Sequence, residues 1–260
     1  MTISCLTAFR TGKDRPPLFV TPGMHGDTTF AALLARHLPA DQPIYGFSAP
    51  GLDGREPPLD TMGGLARRYA AEVLQVPAPH GVILVGFCAG GHIAIPLSLL
   101  LAKCGVPVRH LFLIDTPRKM PPGQLEQLAD EQVAIAARRL VTHPELTRHF
   151  SGGAAIVRAY TDALMRHRSE RYRGDVTILA SGEWRPLIVN EDFGWPGWLA
   201  ANTRIRTVAP TREDLLTAGL PEVAQIIADF ATEASKERAT RRPIKPGKLK
   251  PVTANLPSRS

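Results

Sequence analysis

The sequence predicts a doubly wound α/β fold: a mostly parallel sheet with helices on both faces and a helical insertion over one edge. Three observations predict it. Short apolar runs closed by turn residues alternate with longer amphipathic stretches, and the most apolar run leads into a cysteine set between glycines. The chain of 260 residues is 44% hydrophobic, which suffices for one large buried core.

In chain order, Leu18–Thr21 reads as a buried strand running into Pro22 and Gly23, and Thr28–Leu38 follows with apolar residues at helical spacing. Pro43–Phe47 is the next strand, closed by a loop rich in proline, glycine and aspartate. Leu65–Val76 reads as a helix with Arg67, Arg68 and Glu72 outward. Gly81–Val85 is the most apolar strand, and Ala89–Lys103 a strongly apolar helix after it. Leu111–Ile114 is a strand ending at Asp115. From about 118 to 168 the pattern is helical and charged with no strand, the signature expected of a lid. Strands resume at Asp175–Leu179 and Arg204–Val208, and Glu222–Phe230 is a closing helix. In such sheets the chemistry sits at the carboxyl ends of the strands.

The formal charge of +7 invites a nucleic-acid reading, but residues 236–260 hold eight Lys/Arg against Glu237 alone, which is the whole excess. That tail, with four prolines and no aromatic residue for base stacking, is expected to be extended and disordered, outside a domain of residues 1–235. Nucleic acid is therefore not expected as a partner. No apolar run approaches the roughly 20 residues of a membrane helix, and the first residues lack a signal-peptide pattern, so a cytoplasmic protein with no membrane contact is expected. Cys5, Cys88 and Cys104 fit neither a disulfide framework nor a zinc site, so no metal is expected.

Gly86-Phe87-Cys88-Ala89-Gly90, between a strand and a helix, has the G-x-S-x-G pattern of a nucleophile elbow with cysteine in the serine position. Such a turn strains the residue at its tip, and a Cβ at 86 or 90 would crowd the neighbouring strand or helix. The sulfur is expected to point into solvent at a helix N-terminus, where thiolate is favoured. The plain alternative is a small buried hydrophobe. Glycines at −2 and +2, with Gly91, favour the nucleophile, because ordinary packing at a strand end does not need them.

With these landmarks the chain resembles the thioesterase family of nonribosomal peptide and polyketide assembly lines, within the α/β-hydrolase fold. The resemblance runs from about Pro17 to Phe230. It rests on Phe19–Gly23 with Phe30, Ile44–Phe47 with Pro50 and Gly51, the GFCAGGHIA run, Phe112–Asp115, the helical lid, Tyr172–Thr177 and Phe193–Trp195. It implies acyl or peptidyl thioesters carried on the phosphopantetheine of a carrier protein, and no resident cofactor. It implies Cys88 as nucleophile, Asp115 as the triad acid, and an oxyanion hole from the backbone N–H of Ala89 with that of Gly23 or Met24.

The family's base, a histidine after the last strand, has no counterpart. Arg212 falls near that position, and the eight histidines end at residue 167. A serine without a base would be nearly inert, but a few per cent of a cysteine is already thiolate near pH 7. Deacylation by water needs the missing base, so transfer or cyclisation is favoured over hydrolysis. His25, in the loop of Gly23 and Met24, is the best placed auxiliary, and Arg212 is the expected cation beside the sulfur. His92 is expected to pack on the sheet, His37, His80 and His110 to lie at the surface or at strand ends, and His143, His149 and His167 to belong to the lid. The alternative function is a catalytically silent thioesterase fold that binds a carrier protein or an acyl chain.

Overall fold

The structure is a computed structural model, and it describes residues 4–120, 122–142, 147–184, 193–200 and 202–240. Seven strands form one sheet: β1 (Leu6–Arg10), β2 (Leu18–Thr21), β3 (Ile44–Phe47), β4 (Val82–Phe87), β5 (Val108–Ile114), β6 (Val176–Ser181) and β7 (Arg204–Ala209), in the spatial order β1-β3-β2-β4-β5-β6-β7. All pairings are parallel except β1 with β3. Strands β2, β3, β4 and β6 are buried throughout, as expected of strands covered on both faces.

The helices are α1 (Thr29–Ala35), α2 (Met62–Val73), α3 (Gly91–Lys103), α4 (Pro122–Thr142), α5 (Thr147–Phe150), α6 (Gly153–Arg166), α7 (Arg212–Leu216) and α8 (Leu220–Thr240). Helix α2 packs on α3 and α1 on α8, giving the two covering layers. The predicted lid stretch holds α4, α5 and α6 and no strand among its described residues, and α4 packs along α6. This is the α/β-hydrolase fold.

Two expectations need correction. Strand β1 is absent from the sequence reading, which starts the sheet at Leu18; it lies at an edge with no residue fully buried, and its Arg10 guanidinium donates to the carbonyls of Ala35, Pro39 and Gln42. The tail boundary also shifts. Helix α8 runs on to Thr240, so 236–240 are helical rather than extended, and the rest of the predicted tail lies outside the described residues.

Candidate active site

Strand β4 ends in a single 3₁₀ turn, Cys88–Gly90, that leads directly into α3. Cys88 sits at its tip with φ +52°, a left-handed conformation rare for a side-chain-bearing residue. The flanking glycines have steric reasons. A Cβ on Gly86 would stand 2.5 Å from Gly91 Cα, and one on Gly90 2.5 Å from the Thr21 carbonyl oxygen. Thr21 and Thr116 clamp the turn by donating their hydroxyls to the carbonyls of Gly90 (2.8 Å) and Cys88 (3.0 Å).

The Cys88 side chain is less open than the sequence reading expects. The residue is 8% exposed, and instead of projecting freely into solvent it lies where two cavities meet. One, of about 280 Å³, is walled by Phe30, Leu33, Phe87, Leu128 and Leu216, with His25, Asp27, Thr29, Gln132, Arg139 and Arg212 as polar members. The other, of about 340 Å³, is lined by Ala89, His92, Arg118, Lys119, Met120 and Leu164 among others. Met24, Cys88 and Leu128 belong to both.

Asp115 closes β5, also with positive φ (+51°), and is fully buried. Its Oδ1 accepts from the Ser181 N–H and from the Ser181 hydroxyl, both at 2.9 Å. Its Oδ2 has no hydrogen-bond partner and faces Arg212, whose Nη1 is 4.0 Å away. Arg212 opens α7, its N–H donating to Glu183 Oε2 at 2.9 Å and its guanidinium lying 5.0 Å over the Phe87 ring. Burial alone would lower its pKa, but the charges of Cys88 and Asp115, hydrogen bonding to Cys88 and the charge of Glu183 together raise it above its ordinary value. Arg212 thus links Cys88 and Asp115 as a permanent cation that donates hydrogen bonds but can neither give up nor take a proton.

Of the remaining predicted residues, Gly23 lies against the elbow: a Cβ there would be 3.7 Å from Cys88 Cβ and 3.1 Å from the Phe87 ring. Met24 lines both cavities and Ala89 the second. His25 lines the first cavity, its pKa lowered by burial against the opposing pull of Asp27 and of a hydrogen bond with Gln132. His92 is buried. Its Nε2 lies 3.0 Å from the Pro117 carbonyl, which can only accept, so Nε2 carries the hydrogen; Nδ1 is buried without a partner. Burial, with His167 adjacent, pushes its pKa down to about 4.

His110 corrects a further expectation. It is buried in mid-strand rather than at the surface, hydrogen-bonded to Thr177 Oγ1 at 2.9 Å and packed on Phe112 and Phe230. His37 and His149 are exposed, His80 and His167 are half-buried, and His143 lies outside the described residues.

Sequence reasoning missed four contributors: Ser181, which fixes Asp115; Glu183, which fixes the Arg212 backbone; and Gln132 with Arg139 on α4, the latter paired with Asp27 at 2.7 Å. None of the four carried a local signal: Ser181 meets Asp115 through the register of β6 beside β5, which the sequence pattern does not record. Among the described residues no group of three or more His, Cys, Asp or Glu side chains could hold a metal ion, and no helix is long and apolar enough to cross a membrane.

The family model described as thioesterase domain matches residues 16–230. Indigoidine synthase of Dickeya dadantii is 31% identical over 138 residues, covering 53% of this chain and 9% of that protein. The dimodular nonribosomal peptide synthase of Bacillus subtilis is 28% identical over 136 residues, 52% of this chain and 6% of that protein. The chain therefore spans less than a tenth of the length of either relative. Among solved structures, a four-domain nonribosomal peptide synthetase, holo-AB3403, superposes with a TM-score of 0.73 at 20% identity over 88% of this chain and 20% of that one. The Vlm2 thioesterase domain bound with a dodecadepsipeptide gives 0.67 at 22% identity over 87% of this chain and 98% of that one.

Proposed function

The chain belongs to the thioesterase domain family, and on that premise we propose that it takes acyl or peptidyl groups from phosphopantetheine thioesters of a carrier protein onto Cys88. It then passes them on by transfer or cyclisation in preference to hydrolysis. The observation that carries this reading is Arg212, which stands between the Cys88 side chain and the partnerless Oδ2 of Asp115, where the family resemblance leads one to expect a histidine.

A guanidinium beside a sulfur stabilises negative charge on it, which is what thioester attack requires. Thiolate attack on a thioester expels another thiolate, so loading is close to energy-neutral and moves no proton in the bond-making step. The tetrahedral oxyanion would be met by the Ala89 N–H and that of Gly23 or Met24, in a loop whose glycine leaves room beside the elbow. Asp115, anchored by Ser181, orients the arginine rather than a base. Hydrolysis is the harder half-reaction, since a water attacking the acyl-enzyme must lose a proton and Arg212 cannot take it.

Incubation with short acyl N-acetylcysteamine thioesters, followed by intact-mass measurement, is expected to show one acyl group on wild type and none on Cys88→Ala. Failure to find an adduct with a panel of acyl and aminoacyl donors rejects the proposal. The partnerless carboxylate oxygen and absent base also favour a second reading, a silent fold that only binds a carrier or acyl chain. Iodoacetamide decides between them. Preferential alkylation of Cys88 over Cys5 and Cys104 near neutral pH supports chemistry, and Cys88 labelling no faster than a free thiol supports binding alone.

A further inference from the structure

We infer that the second cavity takes the acyl chain and that this chain carries a carboxylate, which Arg118 grips and selects for. The inference rests on the reading of Cys88 as the site of acyl attachment and names the class of acyl group.

The first observation is how the two cavities beside Cys88 are charged. In the first, each arginine has a carboxylate: Arg139 pairs with Asp27 at 2.7 Å, and Arg212 faces Asp115 at 4.0 Å. The second is lined by Arg118 and Lys119 and by no acidic side chain, and neither cation has an ion pair among the described residues. A positive wall facing a space otherwise lined largely by Met and Leu side chains draws in an anion.

The second observation is the way Arg118 is held. Its backbone N–H donates to the Phe193 carbonyl at 3.0 Å, its Nε–H donates to the Gly194 carbonyl, and its guanidinium carbon lies 4.9 Å over the Trp198 ring. Phe193 and Gly194 both have left-handed backbone, φ +57° and +71°, which is unfavourable at a phenylalanine. Anchoring the segment does not require this, because the buried Trp195 already donates its Nε1–H to the Thr116 carbonyl at 2.9 Å. The guanidinium is thus fixed along one edge and one face. Its two terminal nitrogens make no hydrogen bond with any described residue, and that pair is the fork that fits both oxygens of a carboxylate.

Size decides which anion is meant. The phosphate of a phosphopantetheine arm lies roughly thirteen bonds from the thioester sulfur, about 15 Å when extended. A cavity of about 340 Å³ that begins at Cys88 is on the order of 9 Å across, and its Met24, Met120, Leu125 and Leu164 side chains suit methylenes. An acyl chain of about six carbons brings its far carboxylate to the Arg118 wall within that space.

Binding is measured apart from chemistry. Calorimetry on Cys88→Ala protein compares three N-acetylcysteamine thioesters: adipoyl with its far carboxylate free, the same chain as the methyl ester, and hexanoyl. The free carboxylate is expected to tighten binding about tenfold over both neutral chains, and Arg118→Met, added to Cys88→Ala, to erase that margin while the neutral chains bind as before. Equal affinity for the three overturns the inference, and so does a margin that persists in a folded Arg118→Met protein. The three-ligand comparison needs no change at position 118, so a variant that fails to fold does not shelter the inference. A second arm compares hexanoyl pantetheine with hexanoyl phosphopantetheine. A margin for the phosphate that Arg118→Met erases also overturns the inference, since it places the carrier's arm in this cavity. Loading of wild-type protein with the adipoyl thioester, read by intact mass, tests the underlying reading separately. No adduct despite the carboxylate margin removes the acyl-Cys88 reading and leaves a binding site for anionic acyl chains.

Discussion

Arg212 and Asp115 are a donor and an acceptor that meet at 4.0 Å with the carboxylate otherwise unsatisfied on that oxygen. An imidazole is shorter than an arginine and can both accept and donate, so Arg212→His would place a base between the sulfur and Asp115. The expected outcome is a gain of about a hundredfold in hydrolysis of the acyl-enzyme, read as release of free acid from a preloaded adduct. No gain in a folded variant would show that position 212 does not determine the fate of the acyl group. Cys88 was nameable from its glycine-flanked turn between strand and helix, whereas Asp115, Gly23 and Met24 were named through the family resemblance that this turn helps to carry. Ser181 and Glu183 were not. Their roles come from the register of β6 beside β5 and from where α7 begins, which no local pattern records.

At the scale of elements, α4 is tied to the loop that carries Gly23 and Met24. Arg139 pairs with Asp27 at 2.7 Å and lies 4.4 Å over the Phe150 ring, while Gln132 engages His25. These contacts close one side of the smaller cavity. Arg139→Ala is expected to slow acyl loading several-fold through KM while leaving iodoacetamide alkylation of Cys88 unchanged, since a small reagent does not need the cavity wall. Equal losses in both would indicate that the loop itself had collapsed. Strands β2 to β6 were legible because burial makes all or most of each a continuous apolar run, and β7, an edge strand whose first four residues are exposed, from its buried end at Val208 and Ala209. Strand β1 was not, because it is a short edge strand with no fully buried residue and owes its place to pairing with β3.

Over the whole molecule, two buried imidazoles make folding sensitive to acid. Burial is the main cause in both, pushing His92 and His110 from an ordinary value near 6.5 to about 4. The unfolded chain therefore binds these protons below pH 6.5 while the folded one does not until about pH 4. Their neutral burial is harmless above that window, and stability falls as pH drops through it, by about 1.4 kcal/mol per pH unit for each group. His110→Gln keeps a partner for Thr177 but does not titrate. Urea unfolding between pH 6.5 and 4 is expected to show a slope smaller by about one proton for the variant than for wild type. Identical slopes would mean that His110 is charged in the folded protein.

The unsatisfied oxygen of Asp115 also bears on how such a protein changes over generations. The scaffold that would seat an imidazole is already built, with its carboxylate anchored by Ser181. Some arginine codons become histidine codons by one nucleotide substitution. Under the proposed function, the divide between a carrier of activated acyl groups and a scavenger that destroys them is then one that a single mutation is expected to cross.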